Sequence, residues 1–338
     1  MATLQVAGQA YNPQLRLPLL QGWKLSRGYR VWQMQPRGRL GPYYIDWRPS
    51  GGIFGEGWST SPHDAAGVLV TSQRDYHPVC IAQYALHEHA RYLQGRDDGA
   101  RQAFLAQARW LRDAARRAET KGTYAVPSST SRDGKVRYFA SARAQSEAIS
   151  VLLRAHECEA QEGFLEAALL AAEPFKKDIR EGGVVWRNKW GDTFLEEVAA
   201  LPAAHVLGSG LIGFWGIFEL QRFLPVGWIG EVLGSTIATL QRRLEHYDSG
   251  YWSYESALTE QGGFRFVASL KKHDFHIAAL RVCASMTGDA YFDATADAWS
   301  RHVADAHSRL RVVTNLCLGT ARQLAGVNAA TQGLRTVF

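Results

Sequence analysis

Apolar positions recur at helical spacing over most of this chain. Phe104, Ala108, Leu111 and Ala115 share one face of 102–118, and Ala144, Ala148, Val151 and Ala155 share one face of 140–157. Leu207, Leu211, Phe214 and Phe218 do so in 203–224, and Ile229, Leu233, Ile237, Leu240 and Leu244 in 228–246. This is the i, i+3, i+4, i+7 pattern of helices with one buried stripe. Further helices fit 77–95, 163–177, 274–287 and 290–308, about eight in all.

Residues 1–75 read differently. Short β-type runs (YRVWQM, YYIDW, AGVLVTS) alternate with glycine- and proline-rich breaks such as RPSGGIFGEG, which predicts hairpins or an irregular β-rich region. The helices come in pairs whose second members look alike: DDGARQAFLAQARWL, QEGFLEAALLAAEPF and TGDAYFDATADAW. Their spacing is too irregular for an open superhelix. The expected fold is therefore mainly α: an incomplete α/α toroid of helical hairpins with an N-terminal β-rich region. The expected divisions are 1–75, a barrel over 76–310, and a C-terminal extension over 311–338 packing on it. The inserts 119–139, 178–202 and 247–272 are rich in Tyr, Trp and charge, and loops of that kind build clefts.

Composition changes this picture little. With 338 residues and 46% hydrophobic content, a packed core is expected. The net charge of +6 suits either an acidic partner or an ordinary basic surface, and no dense basic block or finger spacing points to nucleic acid. The four cysteines are far apart, without metal or disulfide spacing, and no apolar run is long enough for a membrane span. The N-terminus has no basic segment followed by an apolar run, so a cytoplasmic location is expected. Several of the eleven tryptophans lie in polar company, as in VVWRNKWGD and SGYWSYES, where indoles often line clefts for sugars.

Five stretches then occur in one order: RDYHPVCIAQYAL, FASARAQSEAISVLLRA, GDTFLEEVAALPAAHVLGSGLIGFWGIFEL, YDSGYWSYES and HDFHIAALRV. Together, over about residues 75–305, they resemble the C-terminal catalytic region of the D-glucuronyl C5-epimerases, which turn glucuronate into iduronate within heparosan or heparan chains. The resemblance implies a β-rich part followed by an α/α barrel. It also implies removal of a uronate C5 proton and its return from the opposite face, with no redox cofactor.

Residue by residue, the resemblance makes Glu196 and Glu197 the family's paired glutamates, while Val198 stands where a tyrosine is usual. Tyr254, before Glu255, matches the functional tyrosine after the YD(T/S)G turn; the turn is one residue shorter here, so Tyr251 is a substitute. His273 and His276 match a histidine pair, and Lys272 falls on a further tyrosine position, although an alternative alignment puts Phe275 there. The expected catalytic set is Tyr254, Glu197 and Lys272, the lysine serving as base or as the charge that stabilises an enolate, or else lying on the surface.

The remaining candidates each have a structural alternative. Gln83, Tyr84 and Gln145 either orient substrate or tie helices together. Trp186, Arg187, Asn188 and Trp190 form an aromatic-basic insert that offers an indole for a sugar and a guanidinium for a carboxylate, or anchors a loop. Tyr251 and Trp252 are platforms or gap fillers, and Arg265 is a further carboxylate binder. His273 and His276 either bond substrate or sit as satisfied structural histidines; no convergent ligands accompany them, and the alternate residues of His87–Glu88–His89 diverge on a helix, so no metal is expected. An acidic polysaccharide or another carbonyl-activated substrate is the expected partner, with no nucleic acid and no membrane, and a homodimer is left open. The competing readings are an epimerase or lyase acting next to a carbonyl on another acidic glycan or a peptide, and a non-catalytic binding toroid.

Overall fold

The computed structural model describes residues 29, 31–32, 39–47, 62–71, 74–128, 136–257 and 265–324. Among them the protein is mainly helical. The α-helices are α1 (Pro78–Gly95), α2 (Asp98–Arg116), α3 (Ala142–Cys158), α4 (Phe164–Ala172), α5 (Leu207–Ile212), α6 (Trp215–Phe223), α7 (Gly227–Arg243), α8 (Leu270–Thr287), α9 (Ala290–Ala304) and α10 (Ala306–Leu324). Two antiparallel hairpins interrupt them, β1 (Ala125–Ser128) with β2 (Arg137–Ala140) and β3 (Val185–Arg187) with β4 (Thr193–Leu195).

Side-chain caps explain the helix starts. Asp97, Ser141, Ser269 and Asp289 each accept backbone N–H groups in the first turns of α2, α3, α8 and α9. The Ser269 cap starts α8 four residues before the periodicity suggests, and so puts Lys272 and His273 on a helix. Two expected helices are each divided. The segment 203–224 becomes α5 and α6, broken at Gly213–Phe214, and α10 begins after α9 where Asp305 accepts the Ser308 N–H at 2.7 Å. The expected boundary at residues 310 and 311 therefore falls inside α10.

The pairs foreseen in the sequence are present: α1 packs on α2, α3 on α4, α6 on α7 and α8 on α9. The first members also pack on one another, α3 against α1, α5 and α6, and α5 against α8. The α3–α6 crossing is close because Gly216 has no side chain; a Cβ there would meet Ser146 O at 2.1 Å. Ser146 Oγ completes the crossing, accepting the Gly216 N–H and donating to Ile212 O, both at 2.8 Å.

The described part of 1–75 has two isolated antiparallel bridges, Val31–Ile45 and His63–Leu69; RPSGGIFGEG lies outside the described residues. Tyr43–Trp47 is a buried strip laid on the helices. Tyr43 and Tyr44 pack on Trp215, and Trp47 stacks on Phe275 at 6.0 Å. Arg154 fastens the strip, donating to Gly41 O and pairing with Glu219 at 2.8 Å. No described helix is long and apolar enough to cross a membrane.

Candidate functional site

The loop HYDSGYWSYES leaves the end of α7 through one turn of 3-10 helix, Leu244–Tyr247, and turns at Asp248–Gly250. Trp252 is fully buried; its indole donates to Ala268 O at 2.8 Å and stacks on His273 at 3.8 Å. It fills the gap under the loop and offers no open platform. Ser253 is held from both sides by α8. Its N–H donates to His273 Nδ1 at 3.1 Å, and its hydroxyl lies 2.8 Å from that atom and 2.9 Å from His276 Nδ1. Burial pushes His273 down to about 3 and His276 well below the ordinary histidine value, so both rings stay neutral. The two histidines anchor the loop, and no group of three or more His, Cys, Asp or Glu able to hold a metal occurs among the described residues.

With that anchor, Tyr254 and Glu255 sit at the mouth of the loop. Tyr254 is half-buried, its ring 4.0 Å beneath the Arg265 guanidinium, and its N–H donates to Tyr247 O at 2.7 Å. Glu255 is buried and paired with the Lys272 ammonium. Lys272 is thus no isolated surface lysine. Tyr251 is half-buried beneath Arg311 at 3.8 Å, and burial, helped by the neighbouring Tyr254 phenol, raises its pKa.

A second cluster forms around Arg143, in the first turn of α3. Its guanidinium lies 3.4 Å from Glu147 and 3.8 Å from Glu197, and 5.6 Å from the centre of each of the Trp47 and Phe275 rings. Gln83, fully buried on α1, donates to Glu147 at 3.0 Å. One guanidinium is shared by two carboxylates. Burial raises Glu147 to about 7, against the opposing effects of Arg143 and the Gln83 bond. Lys271 is exposed, yet desolvation and then the Arg143 charge lower its pKa. The first turns of α8 join the two clusters: Lys272 meets Glu255, while Lys271 and Phe275 face Arg143.

A third set of bonds braces both loops. Glu196 is fully buried, accepting the His205 N–H at 3.1 Å and lying 2.5 Å from His205 Nδ1. Tyr247 donates to His205 O at 2.7 Å. Glu196 and Tyr247 are therefore the struts that fix Glu197 and Tyr254 relative to one another. Val198 is buried.

The other candidates are dispersed. Gln145 accepts the Tyr124 N–H and donates to Gly122 O and Ala171 O, so its amide ties helices together. Tyr84 packs on His63 at 5.1 Å, and burial, then the Glu88 charge, pushes it up to about 12. Trp186 packs edge-on to His205 at 4.3 Å. Asn188 anchors the β3–β4 turn, accepting the Trp190 and Asp192 N–H groups at 2.9 Å, and Arg187 is half-buried opposite Thr193. Arg143, Glu147, His205 and Ser253 were not singled out in the sequence. For Arg143 and Glu147 a signal was present: two charges four apart on a helix otherwise apolar enough to be buried all round.

The fold is thus one of packed helical hairpins, with a phenol, carboxylates and cations gathered around the start of one helix. Residues 126–301 match the family model for the D-glucuronyl C5-epimerase C-terminus, and the chain belongs to that family. Over 215 residues it is 26% identical to the D-glucuronyl C5-epimerase of Caenorhabditis elegans; the match covers 58% of this chain and 34% of that protein, so it spans about a third of the relative's length.

Proposed function

We propose that the chain is an isomerase that inverts C5 of glucuronate residues in an acidic polysaccharide by proton abstraction and return, without a redox cofactor. The helix pairs would form an incomplete α/α toroid, with the Tyr254 and Glu197 loops at one mouth. The observation that carries the reading is the placement of Lys272: within a family match that spans all three candidates, it stands beside the Tyr254–Glu255 turn.

The chemistry follows from the substrate. A proton α to a carboxylate is weakly acidic, so the enediolate formed at its loss needs cations nearby. Lys272 and Arg265 supply them on the Tyr254 side, and Arg143 on the Glu197 side. Inversion needs a proton-transfer group on each face of the ring. Tyr254 is assigned to one face and Glu197, coupled through Arg143 to Glu147, to the other. The Glu255 carboxylate keeps the Lys272 ammonium in place until substrate arrives.

Buried Val198 at a usual tyrosine position favours a second reading, in which the same first step acts on a different acidic glycan. Incubation with heparosan and other uronans in deuterated water tests both readings. The expected result is label at C5, lost in Tyr254→Phe. Label on another uronan but not on heparosan selects the second reading. Absence of label from every uronan sinks both.

A further inference from the structure

Trp190 is the most exposed large apolar side chain among the described residues, at 73%. An indole so open to water normally sits on a slack loop, but this one does not. It lies at the tip of the β3–β4 hairpin, where the Asn188 side chain accepts its N–H at 2.9 Å. The same turn is bolted to α7: buried Asp192 accepts from Arg242 at 3.0 Å and from Arg243 at 2.5 Å. A rigid turn is thus built beneath a solvent-facing ring.

The surroundings are cationic. The Lys189 ammonium lies 4.8 Å from the Trp190 ring centre, and the Arg242 and Arg243 side chains remain 52% and 43% exposed although both bond Asp192. Lys189 thus lies beside the open indole, and two partly exposed arginines share the Asp192 carboxylate of the same turn. Arg243 is followed at once by the 3-10 turn Leu244–Tyr247, whose last residue accepts the Tyr254 N–H. The patch and the Tyr254 loop are thus joined through one continuous segment of chain.

We propose that Trp190, Lys189, Arg242 and Arg243 form a remote subsite for an acidic polysaccharide, which holds a sugar residue beyond the reacting unit. The indole stacks on the apolar face of the sugar ring, and the cations meet its carboxylate or sulfate. This rests on the reading of the substrate as an acidic glycan and extends it from one sugar to a chain.

The test measures binding of the whole protein to immobilised heparosan, and separately to a heparosan tetrasaccharide. Trp190→Ala, at an exposed site, is expected to keep the wild-type melting temperature and to weaken polymer binding about three- to tenfold. Trp190→Phe should keep most of the affinity, Lys189→Gln should lower it with a shallower salt dependence, and tetrasaccharide binding should change in none of them. Wild-type affinity for the polymer in Trp190→Ala overturns the subsite. So does equal loss on the polymer and the tetrasaccharide, or loss on a neutral polymer as well. The C5-label experiment keeps the two ideas apart. Label without any Trp190 effect removes the subsite alone, whereas a Trp190 effect without label leaves the subsite and removes the reaction.

Discussion

The Ser253 N–H donates to Nδ1 of His273 at 3.1 Å. A backbone N–H can only donate, so Nδ1 carries no proton and the ring is the Nε2–H tautomer. That N–H faces Trp299 O at 3.2 Å. One neutral imidazole thus links the Tyr254 loop, α8 and α9 while stacking on Trp252. His273→Ala should destabilise the fold by about 2–4 kcal/mol, through a lost buried ring and a stranded N–H. Denaturant unfolding would show this, and hydrogen exchange should rise at Trp252–Tyr254. An unchanged midpoint would refute the anchoring role.

Opposed buried groups shape the pH dependence. Burial holds His89 and His273 at about 3 and His77 at about 4. The unfolded chain takes up protons near the ordinary histidine value of about 6.5, while the folded chain does not. Their contribution is complete above that value and is lost as pH falls towards 3 or 4, each at about 1.4 kcal/mol per pH unit. Glu147, raised by burial to about 7, acts in the other direction: the folded state holds a proton that the unfolded state releases near its ordinary pKa, so stability is lost as pH rises towards 7. His89 packs on Phe104, and its Nδ1 has no hydrogen-bond partner among the described residues. His89→Leu should therefore flatten the acid limb of a melting-temperature profile between pH 7 and 5 by about one proton's worth. Glu147→Gln should gain on wild type as pH rises from about 4.5 to 7.

Lys272 and Glu255 give a separate handle on the site. Replacing Lys272 by Met strands a buried carboxylate, so the informative variant is Lys272→Met with Glu255→Gln, which leaves no unpaired charge. If the ammonium stabilises an enediolate, C5 exchange should fall at least about a hundredfold while the melting temperature stays close to wild type. Exchange at the wild-type rate would reduce the pair to a structural clasp.

The helices and their pairing were legible because one apolar stripe per helix is a local signal. Phe104, Leu111 and Ala115 are buried as their spacing requires. The break at Gly213–Phe214 was not legible, because apolar residues continue through it on both sides. Motif order points to Tyr254 and Glu197 as candidates, but not to what steadies them. His205 and Tyr247 lie 42 residues apart, and Ser253 and His273 20 apart; each bond exists only through long-range packing. The two indoles of VVWRNKWGD look alike in sequence but part in the fold. Trp186 turns inward to His205 while Trp190, four residues later, is left in solvent, a choice made by the β3–β4 register and the Asn188 turn.

Gly216 tests the central crossing. Its absent side chain lets α6 lie against the backbone of α3 at Ser146, and a Cβ would collide with a carbonyl that is itself part of a helix. Neither backbone can give without breaking the Ser146 hydroxyl bonds. Gly216→Ala, which favours an isolated helix by about 1 kcal/mol, should nonetheless destabilise the protein by about 1–3 kcal/mol. Equilibrium unfolding measures the sign directly, and a stabilised variant would mean that the helices do not meet at Ser146.

Arg154 and Glu219 provide the sharpest contrast between an isolated charge and a paired one. Both side chains are almost wholly buried, with two bonds between them at 2.8 and 2.9 Å, and the guanidinium also lies 5.5 Å from the Tyr43 ring centre and bonds Gly41 O. Arg154→Met leaves the Glu219 carboxylate uncompensated in the core and frees the buried 39–47 strip, so a loss of about 3–5 kcal/mol is expected. Glu219→Leu strands the guanidinium and should cost a similar amount. The double variant removes both charges and replaces them with apolar groups of comparable volume. It should recover at least half of the single-variant loss, because most of that loss is the desolvation of an unpaired ion and not the absence of the pair. Strict additivity in a double-mutant cycle would show that the two residues act independently and would refute the pairing as the source of the loss.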